Sequence, residues 1–157
     1  MKIRLTTKVN QNYLKVKDGF NADLFKALNP SFPPVKLLRF DGSTKGDLVS
    51  LELNFILFKQ VWTSEITADQ LDDAEYYFID EGVKLPFFLK KWRHKHRILS
   101  DGNDKAKIID EISFSSPNLL LDYLLYPVLY FQFSMRKPVY QKVFSTINSS
   151  NSFKQGV

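Results

Sequence analysis

The run Trp92-Arg93-His94-Lys95-His96-Arg97-Ile98 holds both histidines of the chain. Its residues alternate in character, and a strand sends successive side chains to opposite faces. Trp92, His94, His96 and Ile98 share one face, and Arg93, Lys95 and Arg97 the other. Water suits the cationic row, so the Trp/His/His/Ile row is expected inside. Two imidazoles placed there need partners or a ligand, since an unpaired buried polar group costs about 1–3 kcal/mol. This one strand therefore calls for a sheet wrapped around a polar spot, and it points to a lined cavity.

A partner strand follows. Ser100-Asp101-Gly102-Asn103-Asp104 is a turn signal, and Lys105 to Phe114 alternates again. Ile108, Asp110, Ile112 and Phe114 form its more apolar row, which carries Asp110 inward. In a hairpin this carboxylate meets the imidazoles across the strands. Asp110 would then orient one histidine while the other contacts a ligand, although such a pair can also serve only to tie two strands together. A metal held by His94, His96 and Asp110 is geometrically conceivable, but no further ligand cluster stands nearby. Neither metal nor cofactor is expected.

The remaining pattern supplies the frame. Lys2 to Val9 alternates as a strand, and Tyr13 to Leu28 has a helical spacing interrupted at Asp18-Gly19, which predicts two short helices. Val35 to Phe40, Leu48 to Phe58, Lys59 to Thr67 and Ala74 to Ile79 read as further strands, bringing the total to about seven. Leu51, Leu53 and Phe55 form one expected inner row, and Trp62, Ser64 and Ile66 another. Tyr76 with Phe78, or Tyr77 with Ile79, forms a third; alternation leaves the choice open. Ser116-Pro117 resembles a capped helix start, and the apolar stretch beyond it runs to Ile147. Pro127 and Pro138 should bend or interrupt that helix. Tyr123, Tyr126, Tyr130 and Phe133 share a helical face and are candidate cavity walls.

Composition narrows the function classes. With no cysteine there is no disulfide framework, thiol nucleophile or cysteine zinc site. The net charge of +5 is scattered outside the histidine strand, so nucleic acid is not an expected partner. No signal-peptide pattern occurs at the start, and a cytoplasmic location is the expectation. Leu119 to Met135 carries only Asp122 as a charge, but Pro127 and Gln132 favour a helix buried on a sheet over a membrane span. The apolar segment Gly82 to Leu89 reads as a cavity lid, a transient membrane contact or a loop folded over its own core.

The order strand, two short helices, six strands and a terminal helix resembles the helix-grip fold of the START-like or SRPBCC superfamily. The resemblance spans Lys2 to Ile147 and implies an α+β domain over 1–148, with a polar tail over 149–157. A curved seven-stranded antiparallel sheet would wrap around a long C-terminal helix. The segment Leu85 to Ile98, followed by Asp110-Glu111-Ile112-Ser113-Phe114, is similar to a subgroup with a Pro-Phe, His-x-His strand and a following Asp-Glu strand. In that comparison Arg136 matches an arginine near the end of the terminal helix. The chain departs from the subgroup in lacking glycines between Phe114 and Leu125 and in carrying Pro138. The expectation is a binding module, more a binder than an enzyme, for a hydrophobic small molecule such as a lipid, isoprenoid or aromatic compound. Trp92, His94, His96, Asp110, Phe55, Trp62, Tyr123, Tyr126 and Tyr130 would contact it. The alternatives are a cyclase- or dehydratase-type enzyme with His94, His96 and Asp110 as catalytic candidates, and a structural or partner-binding domain with a filled cavity.

Overall fold

Alternating sequence becomes one antiparallel sheet. The computed structural model describes residues 1–30, 32–102 and 104–145; the expected tail over 149–157 and the expected helix end at Ile147 lie outside them. The strands are β1 (Lys2–Val9), β2 (Val35–Phe40), β3 (Leu48–Asn54), β4 (Lys59–Leu71), β5 (Glu75–Lys84), β6 (Lys91–Ser100) and β7 (Ala106–Ser115). They pair antiparallel in the order β1-β7-β6-β5-β4-β3-β2, so the chain meanders from β2 to β7 and its first strand closes the far edge. Register shifts at Thr63/Ser64 and Ile66/Ala68 interrupt the pairing of the long β4 with β5. Irregularities of this kind bend a sheet and increase its twist.

The two short helices are α1 (Tyr13–Asp18) and α2 (Ala22–Ala27). Asn12 and Asn21 cap them, each accepting a backbone N–H with its side chain, as asparagine does well at a helix start. Between them Gly19 lets the chain lie against Phe144, since a Cβ there would sit 2.5 Å from the Phe144 ring.

The C-terminal helix comes as two segments, α3 (Leu119–Ser134) and α4 (Arg136–Ser145), separated at Met135. Pro138 accounts for the break: it has no N–H to offer the Ser134 carbonyl, yet it fits the first turn of α4, where no donor is needed. The helix runs through Pro127 without interruption, so of the two expected effects, bend or break, the break does not occur there. Asn118, rather than the expected Ser116, caps α3 through Leu121 N–H. Ser116 N–H instead donates to the buried Asp122 carboxylate at 2.5 Å. No helix among the described residues is long and apolar enough to cross a membrane.

Two apolar clusters hold sheet and helices together. One joins Val16, Leu24, Ile66, Phe78, Ile98 and Ile108 to Tyr140 and Phe144 of α4. The other joins Ile3, Leu89, Trp92, Ile112 and Phe114 to Leu129 and Phe133 of α3. Each fully buried side chain of this size contributes roughly 1.5–3 kcal/mol. On the outer face the charged rows pair: Arg97 grips Glu75 at 2.6 Å and 3.1 Å, and Arg93 meets Glu81.

Candidate functional site

The site follows from strand register. β6 turns Trp92, His94, His96 and Ile98 inward, all buried, with Arg93 exposed on the opposite face. His96 stands opposite Asp110 of β7, and His94 stands opposite Asp80 of β5. On β5 the inward row is Tyr76, Phe78 and Asp80, which resolves the open choice in favour of Tyr76 with Phe78. Asp80 joins the candidate site without having been singled out from the sequence, although the same alternation carries it inward.

Two histidines and two aspartates thus form one buried cluster. His94 Nε2 is 2.9 Å from Asp110 Oδ1, and His96 Nε2 is 3.2 Å from Asp80 Oδ2. A carboxylate only accepts, so each of these nitrogens carries the hydrogen. His94 Nδ1 lies 3.5 Å from Asp80 Oδ2, and His96 Nδ1 lies 3.4 Å from Asp110 Oδ1. Trp92 Nε1–H donates to the other oxygen of Asp80 at 2.9 Å. Phe78 stacks on the His96 ring at 4.3 Å between centroids.

Burial and the neighbouring charge on His96 push His94 down to about 4, so it is neutral near pH 7. Burial also opposes charge on His96, but Asp110 and Asp80 outweigh it and raise that imidazole above its ordinary value. The same contest is won by the histidines at both carboxyls: burial disfavours their charge, yet Asp110 and Asp80 are held below the usual carboxylate range. The two carboxylates therefore favour the charged form of His96, while His94 stays neutral near pH 7.

A cavity of about 150 Å³ lies between this cluster and the C-terminal helix. Trp92, His94, His96 and Asp80 form part of its wall; Asp110 is buried behind the histidines and does not line it. Leu51, Leu53, Trp62, Ser64 and Ile66 face it as their alternation requires. Leu129, Gln132, Phe133 and Arg136 close it from the helix. The Arg136 guanidinium sits 4.0 Å over the Phe133 ring and makes no ion pair among the described residues.

Four expected wall residues lie elsewhere. Tyr123, Tyr126 and Tyr130 are 63%, 37% and 45% exposed, on the face of α3 turned away from the sheet. α3 is apolar nearly all round, so periodicity could not choose its inner face; Asp122, Leu129 and Phe133 are the residues it buries. Phe55 leaves the inner row because β3 ends at Asn54, whose side chain accepts Ile56 N–H and turns the chain. The Phe55 ring stacks on Phe58 and meets Phe88 edge-on, outside the cavity. No residue of Gly82 to Leu89 lines the cavity; Leu85, Phe88 and Leu89 pack into the second apolar cluster, against residues that do.

No family model and no curated protein matches the sequence. Solved structures do. The ZhuI aromatase/cyclase from Streptomyces sp. R1128 superposes with a TM-score of 0.67 at 14% identity, covering 89% of this chain and 90% of that one. A hypothetical protein from Helicobacter pylori gives 0.69 at 13%, covering 92% and 88%. The norcoclaurine synthase of Thalictrum flavum, in complex with dopamine and hydroxybenzaldehyde, gives 0.59 at 10%, covering 88% and 86%. The chain has the helix-grip fold. In helix-grip terms the cavity is the space between the curved sheet and the gripped helix, and β5, β6 and β7 bring the buried cluster to its wall.

Proposed function

We propose that the chain binds a compact, largely apolar small molecule in the cavity between sheet and helix. The observation that carries this is an apolar chamber with two polar features, the His/Asp cluster and the Arg136 guanidinium, which meets Phe133 and Tyr140 but no carboxylate among the described residues. A cavity of about 150 Å³ suits a body near the size of a single aromatic ring, which favours the aromatic class over a long lipid. Arg136 asks for an oxygen acceptor, such as a carboxylate or phenolate, and a charge-assisted hydrogen bond of that kind is worth about 1.5–3 kcal/mol. That the fold is shared with a structure holding dopamine and hydroxybenzaldehyde agrees in scale with this reading.

A panel of single-ring acids and phenols, read by thermal shift and calorimetry, tests it. Saturable binding should weaken about 10- to 100-fold in Arg136→Gln, the equivalent of that hydrogen bond. A panel that never shifts the folded protein would count against the reading. The cyclase- or dehydratase-type alternative is favoured by both imidazoles lining the chamber with carboxylates beside them. It requires turnover of a bound panel member that disappears in His96→Gln while affinity is kept.

A further inference from the structure

Three donor atoms converge at one point of the cavity wall. His94 Nδ1 lies 3.5 Å and His96 Nε2 lies 3.2 Å from Asp80 Oδ2, and the three residues bring one donor atom each within 4.8 Å of one another. Zinc bonds of about 2.0–2.1 Å to nitrogen and oxygen place tetrahedral neighbours roughly 3.3–3.4 Å apart. The two measured separations bracket that edge. They are produced by register alone, because Asp80 faces His94 across β5 and β6 and His96 follows two residues on.

The second carboxylate, Asp110, contacts the ring nitrogens that face away from Asp80. Asp110 accepts from His94 Nε2 at 2.9 Å, so that nitrogen is committed to the carboxylate and Nδ1 is the one left to coordinate. His94 Nδ1 stands 3.5 Å from Asp80 Oδ2, a spacing that a cation between the two atoms would suit. His96 Nδ1 is buried without a hydrogen bond, 3.4 Å from the same Asp110 oxygen. For Nε2 to serve as a second lone-pair donor, metal binding must release its proton to solvent while Nδ1–H turns to that Asp110 oxygen. Asp110 then backs both rings from behind, the usual carboxylate–histidine–metal arrangement. Trp92 fixes the third ligand by holding Asp80 Oδ1, which turns Oδ2 towards the imidazoles.

We propose that Asp80, His94 and His96 bind one divalent transition-metal ion of zinc's ligand preference, with its open position facing the cavity. The ligand set differs from the one the sequence suggested: Asp80 takes the third place, and Asp110 supports from outside it. The inference deepens the binding reading, because the open position would take an oxygen of the cavity's occupant. It stands apart from that reading in test. Metal uptake with no organic ligand would keep this site and remove the other proposal, and the reverse pattern would do the opposite.

The experiment uses the full chain, stripped with chelator, reloaded with zinc or cobalt(II) and passed over a desalting column. One equivalent of zinc should be retained, and cobalt should give the intense visible bands of a four-coordinate site. Asp80→Asn and His94→Gln should each weaken uptake by at least about 100-fold, the upper end of what losing a mere backing carboxylate costs. Circular dichroism checks that each variant keeps its sheet; if neither folds, the wild-type cobalt spectrum decides. Folded wild type that retains no metal, or a featureless cobalt spectrum, overturns the proposal. So does equal retention by folded Asp80→Asn, which would mean adventitious surface binding.

Discussion

The imidazoles of His94 and His96 lie 3.6 Å apart between ring centroids, side by side on the inner face of one strand. Both are buried, and each approaches both Asp80 and Asp110 within 3.5 Å. The cluster is held by compensation: two carboxylates out of water are tolerable only because the imidazoles meet them. Asp110→Asn removes one charge and leaves His94 facing an amide. Breaking a buried charged network from one side costs about 3–5 kcal/mol. Urea unfolding at neutral pH should show a loss of that order, and a loss under about 1 kcal/mol would mean the cluster is slack.

Acid should weaken the outer face of the sheet through Glu75. Arg97 binds it with two hydrogen bonds, and Lys95 adds attraction, so its carboxyl is held below the ordinary value of 4.5. A lowered folded pKa contributes stability that is full above the ordinary value and is lost as pH falls through the folded one. Glu111 shares Arg97, and Arg4 in turn meets Glu111. The pair is worth about 1 kcal/mol at this partial exposure. Glu75→Gln should therefore destabilise by that amount at pH 7 and by less in acid below the lowered pKa of the folded carboxyl, measured as paired denaturation curves. A constant difference at both pH values would contradict the assignment.

Gly19 tests how α1 meets α4. Its backbone is unstrained, so the requirement is space alone: an added Cβ would lie 2.5 Å from one Phe144 ring carbon and 3.1 Å from another. Phe144 is fully buried and has little room to retreat. Gly19→Ala should cost about 1–3 kcal/mol by overpacking, read from the thermal midpoint. Unchanged stability would show that this contact yields freely.

The outward tyrosines separate the helix's two faces. Tyr123→Ala and Tyr130→Ala lie away from the cavity and should shift stability by no more than about 0.5 kcal/mol and leave ligand affinity alone. Phe133→Ala, which opens the cavity wall and uncovers Arg136, should cost about 3–5 kcal/mol. Calorimetry and urea unfolding on the three variants check both halves. Affinity lost in the tyrosine variants would place the binding face on the other side of α3.

The strand with His94 and His96 was legible because its two rows differ so sharply: cations on one side, Trp, His and Ile on the other. Asp110 was legible for the same reason. Asp80 was not, because Tyr76/Phe78 and Tyr77/Ile79 are equally apolar, and only pairing with β6 decides which row is inside. Phe55 was misplaced because the Asn54 side chain, accepting Ile56 N–H, turns the chain one residue before it. The α3 tyrosines failed for a third reason: a helix with apolar residues on every side gives periodicity nothing to separate. Pattern thus located the polar half of the site, and three-dimensional pairing supplied its remaining carboxylate and the helix side of its wall.

The central claim is an open, compact binding cavity, and native mass spectrometry of the wild-type chain beside Leu53→Trp tests it most directly. Leu53 lines the cavity, and the larger indole should fill it. Single-ring acids that bind should add one mass adduct to wild type and none to the variant, with circular dichroism showing both folded. The same adducts on both proteins, or on neither at ligand concentrations that saturate the thermal shift, would contradict the cavity as the binding site.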